Sequence, residues 1–528
     1  MDGDIYAQPL FVSKAHVKGL PHNVVIVATM HNTVYAFDAD KFYEKNQKVP
    51  PLWKRSLEPA VQTAESIDDW IGDCGQVSAG NILLNLGKEI GIVGTPVISI
   101  ESQTVYLVTF TVLTSNQKRE YQHFLHALDL VTGMDRRNVA AVKISVPGFT
   151  SRLQNQRAAL LLTRNGIVYV AFGSYGDCGR YHGWIFAFDA QQLMQLPTVF
   201  NTTPADETTG GGIWQGGQGP SADDEGNIYV MSGNGDFNRQ ELDPTKKQNY
   251  GNSFIKLSWH LSVLDRFTPS NAEPLNGVDA DLGSGGPLLL PDTNLLIGGG
   301  KEGKLYLLNR ESMGGFDPKG DSRIVQSFQA TTERCPQWTE NWRKWPNEGC
   351  PEPAPAKNAD GGYHHIHGSP VYWKSKDGTF IFVWGEADPL RRFKLIDGKF
   401  EPAGTSKVIT PTRSMSGGML SISADGTKNG IIWATHPTGC TCDPLIADCT
   451  MTKYWCDPNE NVVPGTLRAM DASTSKQKST LQELWNSDRD PKDKLGNVAK
   501  FTPVTIVNGK VYVATLSNKL VVYGPKVR

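Results

Sequence analysis

A short pattern of apolar runs recurs along the whole chain, and it limits the fold more than any other feature. The clearest copy is KFTPVTIVNGKVYVATLSNKLVVYG at 500–524, where Asn508-Gly509 and Ser517-Asn518 separate three runs rich in β-branched and aromatic residues. Asn-Gly between two such runs is a strong hairpin signal. This copy predicts three antiparallel strands, a sheet that can bury its faces only by stacking on copies of itself.

Eight such copies are present. Their second and third runs lie at 24–39, 105–130, 167–190, 228–258, 295–310, 380–395, 431–472 and 511–524. The first runs predict innermost strands that begin near Gln8, Gly94, Arg157, Gly217, Gly285, Gly368, Gly417 and Phe501. Radial repetition of small antiparallel sheets is typical of a β-propeller. The sequence therefore predicts an all-β, eight-bladed β-propeller of four-stranded antiparallel blades, a single domain spanning residues 1–528.

The last blade is predicted to be incomplete. Outermost strands are expected at 51–57, 140–146, 261–268, 324–330 and 481–487, but only Gly-Pro-Lys-Val-Arg follows Tyr523. The eighth blade should therefore lack an outer strand in this chain. Because the sequence also opens directly on a first strand, we expect the native protein to begin earlier and this chain to be a mature or trimmed form.

The lengths of the loops distinguish the two faces of the predicted ring. Turns between first and second strands are short and define a plain face, as at Asn508-Gly509. Most long insertions fall on the opposite, built-up face, at 58–90, 111–122, 174–183, 202–213, 234–252, 269–282, 331–365 and 436–464. Loops held by a rigid scaffold commonly carry binding or chemistry. We therefore expect the functional site on the built-up face.

Composition excludes two classes of partner. Lys and Arg together number 52 against 54 Asp and Glu, and no basic run occurs, so we expect no binding to nucleic acid. No stretch approaches the roughly 20 apolar residues of a membrane-spanning helix. Met1 is followed by polar residues rather than by the apolar segment of a signal peptide.

All eight cysteines fall in loops of the built-up face. An even number of cysteines in loop-rich segments indicates disulfides and an oxidising compartment, either secreted/extracellular or periplasmic. The other six cysteines have partners within their own loops, which leaves Cys74 to pair with Cys178. The predicted groups are Cys74 with Cys178, Cys335 with Cys350, and Cys440, Cys442, Cys449 and Cys456 among themselves. A zinc site in the 440–456 loop is one alternative, although its spacing lacks the C-x2-C pairs of structural zinc sites, and free thiols are the other.

Several phrases resemble a known family. AFDA, ALDLVTG and AMDAST, with Trp53 and Trp485 further on, resemble the blade repeat of quinoprotein-type propellers, the pyrroloquinoline-quinone (PQQ) dehydrogenase superfamily. YAQPLFV, YHGW, DLGSGG, GKEGKLYLLNR and HIHGSPVYW resemble secreted PQQ-like repeat proteins. The resemblance implies an oxidoreductase with PQQ and calcium as cofactors. The adjacent cysteine pair of the alcohol dehydrogenases is missing, and their calcium-ligand and catalytic-aspartate signatures are not recognisable.

The innermost strands of a propeller converge on its axis, so their starting points and the loops between second and third strands share a central mouth. The residues predicted to line that mouth and bind a small molecule or glycan are Trp214, Asp281, Lys301, Glu302, His365, His367, Glu386 and Lys500. In an extended segment His365 and His367 point the same way, with His364 opposite. Two imidazoles on one side suit a transition metal or a proton relay, and a structural pair at a loop is the alternative.

A second candidate metal site lies in the GNGDFN loop. Asn234, Asp236 and Asn238 place oxygen-bearing side chains at alternate positions, which suits a hard cation such as calcium. Arg239 stands where a calcium-binding loop of the EF-hand type has glycine, and Asx-turns explain the same residues without a metal. Asp279-Ala280-Asp281 is open to the same two interpretations.

Two classes of function follow. One is a secreted, PQQ-like propeller with a ligand site on its loop-rich face and quinoprotein-like oxidoreductase activity. The other is a non-catalytic propeller that binds a glycan, peptide or protein partner or serves as an extracellular scaffold. Addition of PQQ and calcium distinguishes the two classes.

Overall fold

Eight small antiparallel sheets are arranged in a ring, as the repeats predict. The structure is a computed structural model, and it describes residues 1–525 except 18, 42–48, 76–82, 84, 117, 240–246, 333–363, 412–413, 439–457, 459–460 and 474–478. Within these residues the eighth sheet has three strands, which confirms the predicted missing outer strand. Blades 4 and 6 each gain a short fifth strand that pairs in parallel with the outer edge.

The strands of each blade follow one another from the axis outwards. Blade 1 consists of Leu10–Val17, Leu20–Ala28, Thr33–Asp38 and Trp53–Ser56, and blade 2 of Val97–Ser99, Thr104–Ser115, Lys118–Asp129 and Val142–Lys143. Blade 3 consists of Leu161–Leu162, Ile167–Ser174, Trp184–Asp189 and Phe200–Asn201, with Gln154–Asn155 also paired to its second strand. Blade 4 consists of Ser221–Ala222, Ile228–Met231, Phe254–Leu257, Val263–Thr268 and Gly315–Phe316. Blade 5 consists of Leu288–Leu289, Leu295–Gly299, Lys304–Asn309 and Gln326–Gln329. Blade 6 consists of Val371–Ser375, Gly378–Val383, Pro389–Ile396, Lys399–Ile409 and Thr480–Leu481. Blade 7 consists of Met419–Asp425, Lys428–Pro437, Gly465–Asp471 and Glu483–Asn486, and blade 8 of Thr505–Val507, Lys510–Ala514 and Leu520–Tyr523.

The remaining elements are short. Val61–Gln62 pairs with Glu89–Ile90 outside the blades. The helices are Thr63–Cys74 and Ala272–Gly277, and the 3-10 turns are Ser151–Leu153, Gln215–Gly217, Leu282–Ser284 and Pro491–Asp493. Within the described part of the chain, no helix has the length and apolar character needed to cross a membrane.

Proline determines where most innermost strands begin. The observed strands start two to four residues after the predicted positions, and five of them start directly after Pro9, Pro96, Pro220, Pro287 and Pro370. Proline has no N–H to donate to the ladder, so pairing begins with the next residue. The repeated small residue and proline therefore form the lead-in to each blade, close to the axis.

The core lies between the blades. Every residue of Ile167–Ser174 is buried. Val168 and Val170 pack with blade 2, whereas Tyr169 and Ala171 pack with blade 4. A strand covered on both faces has no polar side, which explains why the second runs of the repeat are continuously apolar.

The ring closes where blade 8 meets blade 1. The Ile5 N–H donates to the Thr515 carbonyl oxygen at 3.0 Å, and the Met30 N–H donates to the Asp4 carbonyl oxygen at 2.8 Å. Residues near the start of the chain thus bridge the two blades through main-chain hydrogen bonds. Thr505 adds a bond from its hydroxyl to the Pro9 carbonyl oxygen.

The helix Thr63–Cys74, which the sequence pattern does not predict, occupies the first long insertion. Its Trp70 is fully buried, and Cys74 is bonded to Cys178 of blade 3, which confirms that predicted disulfide. The predicted insertion at 111–122 instead continues two strands of blade 2 as a hairpin, whose Arg119 binds Asp69 of the helix at 3.1 Å. The other six cysteines lie outside the described residues.

Removing the Cys74–Cys178 disulfide should destabilise the fold. The bond spans 104 residues, and cross-links over such long loops restrict the unfolded chain strongly. We expect a Cys74→Ser/Cys178→Ser double variant to lose about 2–5 kcal/mol of unfolding free energy, measured by urea denaturation. Equal midpoints for the variant and the oxidised wild type would contradict this.

Candidate functional site

The built-up face brings lead-ins and loops from five blades together at the axis. Lys301, from blade 5, lies at the centre: its Nζ is 2.9 Å from Asp279 Oδ2 and 2.8 Å from Asp281 Oδ2. Both aspartates come from the lead-in to blade 5. Lys301 and Asp281 are almost entirely buried, and this permits strong charge pairing at the centre of the mouth.

Trp214 forms an aromatic platform beside this cluster. Its indole lies against three glycines: a Cβ built on Gly173, Gly212 or Gly233 would come within 2.4–2.6 Å of the ring. Only glycine allows the ring to lie this close to the backbone. A Cβ on Gly233 would also lie 2.3 Å from Asp281 Oδ1, so platform and carboxylate are neighbours. Trp214 remains partly exposed, and it is held by a 3.0 Å hydrogen bond from Nε1 to the Ser174 carbonyl oxygen.

Asp177 adds a third carboxylate from the loop of blade 3. The Ser174 hydroxyl donates to its Oδ1 at 2.9 Å, and the residue adopts a φ of 57°. The Asp177 side chain is exposed to water. The surrounding protein, followed by the negative charges of Asp281 and Asp279, raises the pKa of Asp177 to about 6. The mouth therefore has an excess of negative charge around one ammonium group.

Two histidines and a glutamate form a second cluster, from blade 6. Glu386 Oε1 is 2.8 Å from His367 Nε2 and 4.0 Å from His365 Nδ1. The two imidazole rings lie 5.5 Å apart, on the same side of their segment, as predicted. Burial, followed by the charges of Lys301 and Lys500, lowers the pKa of His367 to about 3. Burial likewise raises the pKa of Glu386.

A buried arginine closes the axis beneath the mouth. Arg157 donates hydrogen bonds to the Val93, Lys500 and Phe501 carbonyl oxygens, linking blades 2, 3 and 8. Its guanidinium lies 4.7 Å from the centre of the Tyr6 ring. Burial lowers the pKa of Arg157 to about 10, so the side chain stays charged at neutral pH.

Most of the residues predicted for the mouth meet there. The contacts and charge interactions above connect Trp214, Asp281, Lys301, His365, His367, Glu386 and Lys500. Glu302 faces elsewhere: it accepts hydrogen bonds from Asn271 and Tyr306, each at 2.8 Å, and pairs with Lys304. Glu302 therefore links the loop after blade 4 to blade 5.

The three residues of the GNGDFN loop bond to three different neighbours. Asn234 Nδ2 donates to Asp279 Oδ1 at 2.7 Å, which places Asn234 at the mouth. Asp236 Oδ2 accepts from the Thr209 N–H at 2.9 Å, and Asn238 Oδ1 accepts from the Asn249 N–H. Calcium binding by this trio stays a prediction.

Sequence reasoning did not include Asp177 or Tyr181 among the site residues. Tyr181 is buried, hydrogen-bonds to Asp177 and packs near Trp214, with ring centres 6.1 Å apart. A signal was present: Asp177 directly precedes Cys178 in a glycine-rich insertion of the built-up face.

The plain face also has a groove, of about 490 Å³, between the turns at 161–165 and 222–226.

Comparison with known proteins supports the fold. No protein-family model and no curated protein sequence matches the chain. Among solved structures, it is similar to a quinohemoprotein alcohol dehydrogenase from Pseudomonas putida, with 13% identity and a TM-score of 0.54. It is also similar to a quinohemoprotein alcohol dehydrogenase from Comamonas testosteroni, with 13% identity and a TM-score of 0.56. Each alignment covers 97% of this chain and 71% of the other. The chain shares its propeller fold with these enzymes.

The raised pKa of Asp177 predicts a pH-dependent stability. Between its ordinary value of 3.8 and about 6, the folded state binds more protons than the unfolded state, so this residue's contribution is lost as pH rises. We expect Asp177→Asn to be more stable than wild type at pH 8 in EDTA, by about 1 kcal/mol, because water screens much of the repulsion.

Measuring the stability of Asp177→Asn at a second pH tests whether the charge of Asp177 causes the gain. The gain should largely disappear at pH 3.5, where the Asp177 carboxyl is mostly protonated in both states. Asp224→Asn, at an exposed pair with Arg164 on the plain face, is the matched control and should show no such gain. Thermal melting at both pH values measures the difference, and a gain that persists at pH 3.5 would rule out the charge explanation.

Proposed function

We propose that the central mouth binds PQQ together with a hard divalent cation such as calcium, and that the protein is a quinoprotein-like oxidoreductase for a small-molecule substrate. The observation that carries this proposal is the partly exposed Trp214 platform beside Lys301 and three aspartates. The shared fold with two quinohemoprotein alcohol dehydrogenases supports it. Family membership is part of the proposal.

The side chains present fit such a cofactor in three respects. The flat indole of Trp214, which lies against three glycines, suits stacking against a planar aromatic ring. The carboxylates of Asp177, Asp279 and Asp281 supply the oxygen donors that calcium prefers, and they would have to move closer together than they are here to share one ion. The ammonium of Lys301 supplies positive charge for an anionic cofactor. Three carboxylates around one ammonium group repel one another, and a divalent cation would offset that repulsion.

The chain departs from the alcohol dehydrogenases of the quinoprotein superfamily in one respect. No two cysteines are adjacent in the sequence, so the bridged pair that lies over the cofactor in those enzymes has no counterpart. The Cys74–Cys178 bond lies beside Asp177 instead and fixes the loop that carries it. On this proposal the second face of the cofactor would be covered by other groups of the built-up face.

The chain's own residues would bind and orient the reactants. Bound PQQ supplies the oxidising power, since the quinone accepts two electrons from an alcohol substrate. Ser174 and Tyr181 hold the Asp177 carboxylate by hydrogen bonds. Lys301 holds Asp279 and Asp281 in fixed positions. Such preorganised charges are most effective where water is excluded, as around the buried Lys301 and Asp281.

An exported location belongs to the same proposal. The Cys74–Cys178 disulfide supports an oxidising compartment, extracellular or periplasmic. Fractionation of cells that produce the protein from its complete natural gene tests this. Recovery of the protein mainly from the cytoplasm would contradict it.

Titration with PQQ and calcium tests the proposal directly. We expect wild-type protein to take up one PQQ per chain in saturating Ca²⁺, measured by difference absorbance, and then to oxidise small alcohols with an artificial electron acceptor. Trp214→Ala and Lys301→Ala should weaken PQQ binding by at least about tenfold, which corresponds to 1.4 kcal/mol. Asp281→Asn should chiefly raise the Ca²⁺ concentration that binding requires.

An exposed ion pair on the plain face provides matched controls. Lys374 Nζ lies 3.1 Å from Asp292 Oδ2, so Lys374→Ala and Asp292→Asn remove the same charges far from the mouth. Both variants should bind PQQ as wild type does. Wild-type protein that takes up no PQQ in saturating Ca²⁺ would overturn the proposal and favour a non-catalytic propeller that binds a glycan, peptide or protein.

A further inference from the structure

We propose that His365, His367 and Glu386 form a binding site for a first-row divalent transition-metal ion of the zinc, iron(II) or cobalt(II) type. The site does not depend on the quinone proposal, because it uses other side chains and a different class of metal. One ligand atom from each residue can be chosen so that all three lie within 4.8 Å of one another. Among the residues that the structure describes, no other trio of His, Cys, Asp or Glu side chains is grouped this closely.

The distances suit a small ion after minor adjustment. Metal–ligand bonds of 2.0–2.2 Å place neighbouring ligand atoms about 2.8–3.6 Å apart in tetrahedral or octahedral geometry. Glu386 Oε1 is already 2.8 Å from His367 Nε2, and it is 4.0 Å from His365 Nδ1. The His365 side chain would therefore move by about 1 Å on binding.

The backbone holds the three ligands in place before any ion arrives. The Glu386 N–H donates to the His365 carbonyl oxygen at 2.9 Å, joining the two segments that supply the ligands. His364 Nδ1 lies 3.0 Å from the Glu386 carbonyl oxygen. Ile366, between the two histidines, is buried in the core on the opposite side. A preorganised set of ligands loses little conformational entropy when the metal binds.

The donor set indicates the class of metal. Two imidazoles and one carboxylate suit zinc or iron(II) and leave coordination positions open for water or a ligand. Calcium and magnesium prefer oxygen donors only, so the aspartates around Lys301 are the better site for those ions. A structural hydrogen bond between His367 and Glu386 is the simpler alternative. That hydrogen bond involves one imidazole, whereas the metal site uses both, and the second imidazole lies 4.0 Å from the same oxygen.

Binding of Co²⁺ and Zn²⁺ alone, without quinone, tests the proposal. We expect wild-type protein with intact disulfides to bind one Co²⁺ or Zn²⁺ ion per chain in equilibrium dialysis. The buffer contains about 5 mM Ca²⁺, which is above the dissociation constants of even weak protein calcium sites and therefore keeps any calcium site occupied. Glu386→Gln and His367→Gln should each weaken binding more than about 100-fold, because even an outer-shell partner contributes 10–100-fold.

His22 provides the control. It forms a histidine–carboxylate pair with Asp38, at 3.0 Å, with no second imidazole in the pair. His22→Gln should bind the ion as wild type does. Zinc bound equally by wild type and His367→Gln would overturn the proposal, because the ion would then lie elsewhere. Wild-type protein that retains no Co²⁺ or Zn²⁺ would overturn it as well.

A measurement on wild type keeps the test decisive if the variants fail to fold. X-ray absorption of the zinc-loaded protein should show two imidazole nitrogens and carboxylate or water oxygens about 2.0–2.2 Å from the metal. Sulfur at about 2.3 Å would place the zinc on cysteines and overturn the proposal. Absence of PQQ uptake would leave these results unchanged, so the two proposals fail independently.

Discussion

The close approach of backbone segments at the axis is the constraint on which the site depends. A Cβ on Gly216 would lie 1.7 Å from the His367 carbonyl oxygen, and one on Gly217 would lie 2.2 Å from the Phe501 carbonyl oxygen. Both glycines also have positive φ. The lead-ins of blades 4, 6 and 8 can meet only because these positions have no side chain. Residues far apart in sequence thereby share one mouth.

Burial of charge is the second feature that organises the mouth. Removing charged groups from water is unfavourable unless partners compensate. Lys301 compensates two aspartates, while Asp177 adds a negative charge that its neighbours repel. Arg157 solves the same problem differently, with main-chain carbonyl oxygens and an aromatic ring in place of a carboxylate. The fold therefore compensates most of the charge of Arg157, whereas the carboxylates around Lys301 outnumber its one ammonium group.

The sequence predicts the ring better than it predicts the site. The eight repeats predict the number and order of blades because each contains an apolar second run, as in Ile167–Ser174, whose residues are all buried. Residues at lead-ins, such as Trp214 and His367, are predictable because the repeats place every lead-in close to the axis. Asp177 and Glu302 are harder to interpret because their directions depend on loop conformation. Asp177 is turned into the mouth by a residue conformation with positive φ, and Glu302 is turned away by Asn271 and Tyr306.

Lys301 links the two halves of the mouth. It pairs with the aspartates near Trp214, and its charge also lowers the pKa of His367 and opposes the burial-driven rise in the pKa of Glu386. The oxygen-rich half and the imidazole half therefore lie in the same electrostatic field. A cation in either half would repel a cation in the other, and the carboxylates of Asp279, Asp281 and Glu386 would reduce that repulsion. Because the donor types differ, each half would select its own class of ion in spite of this proximity.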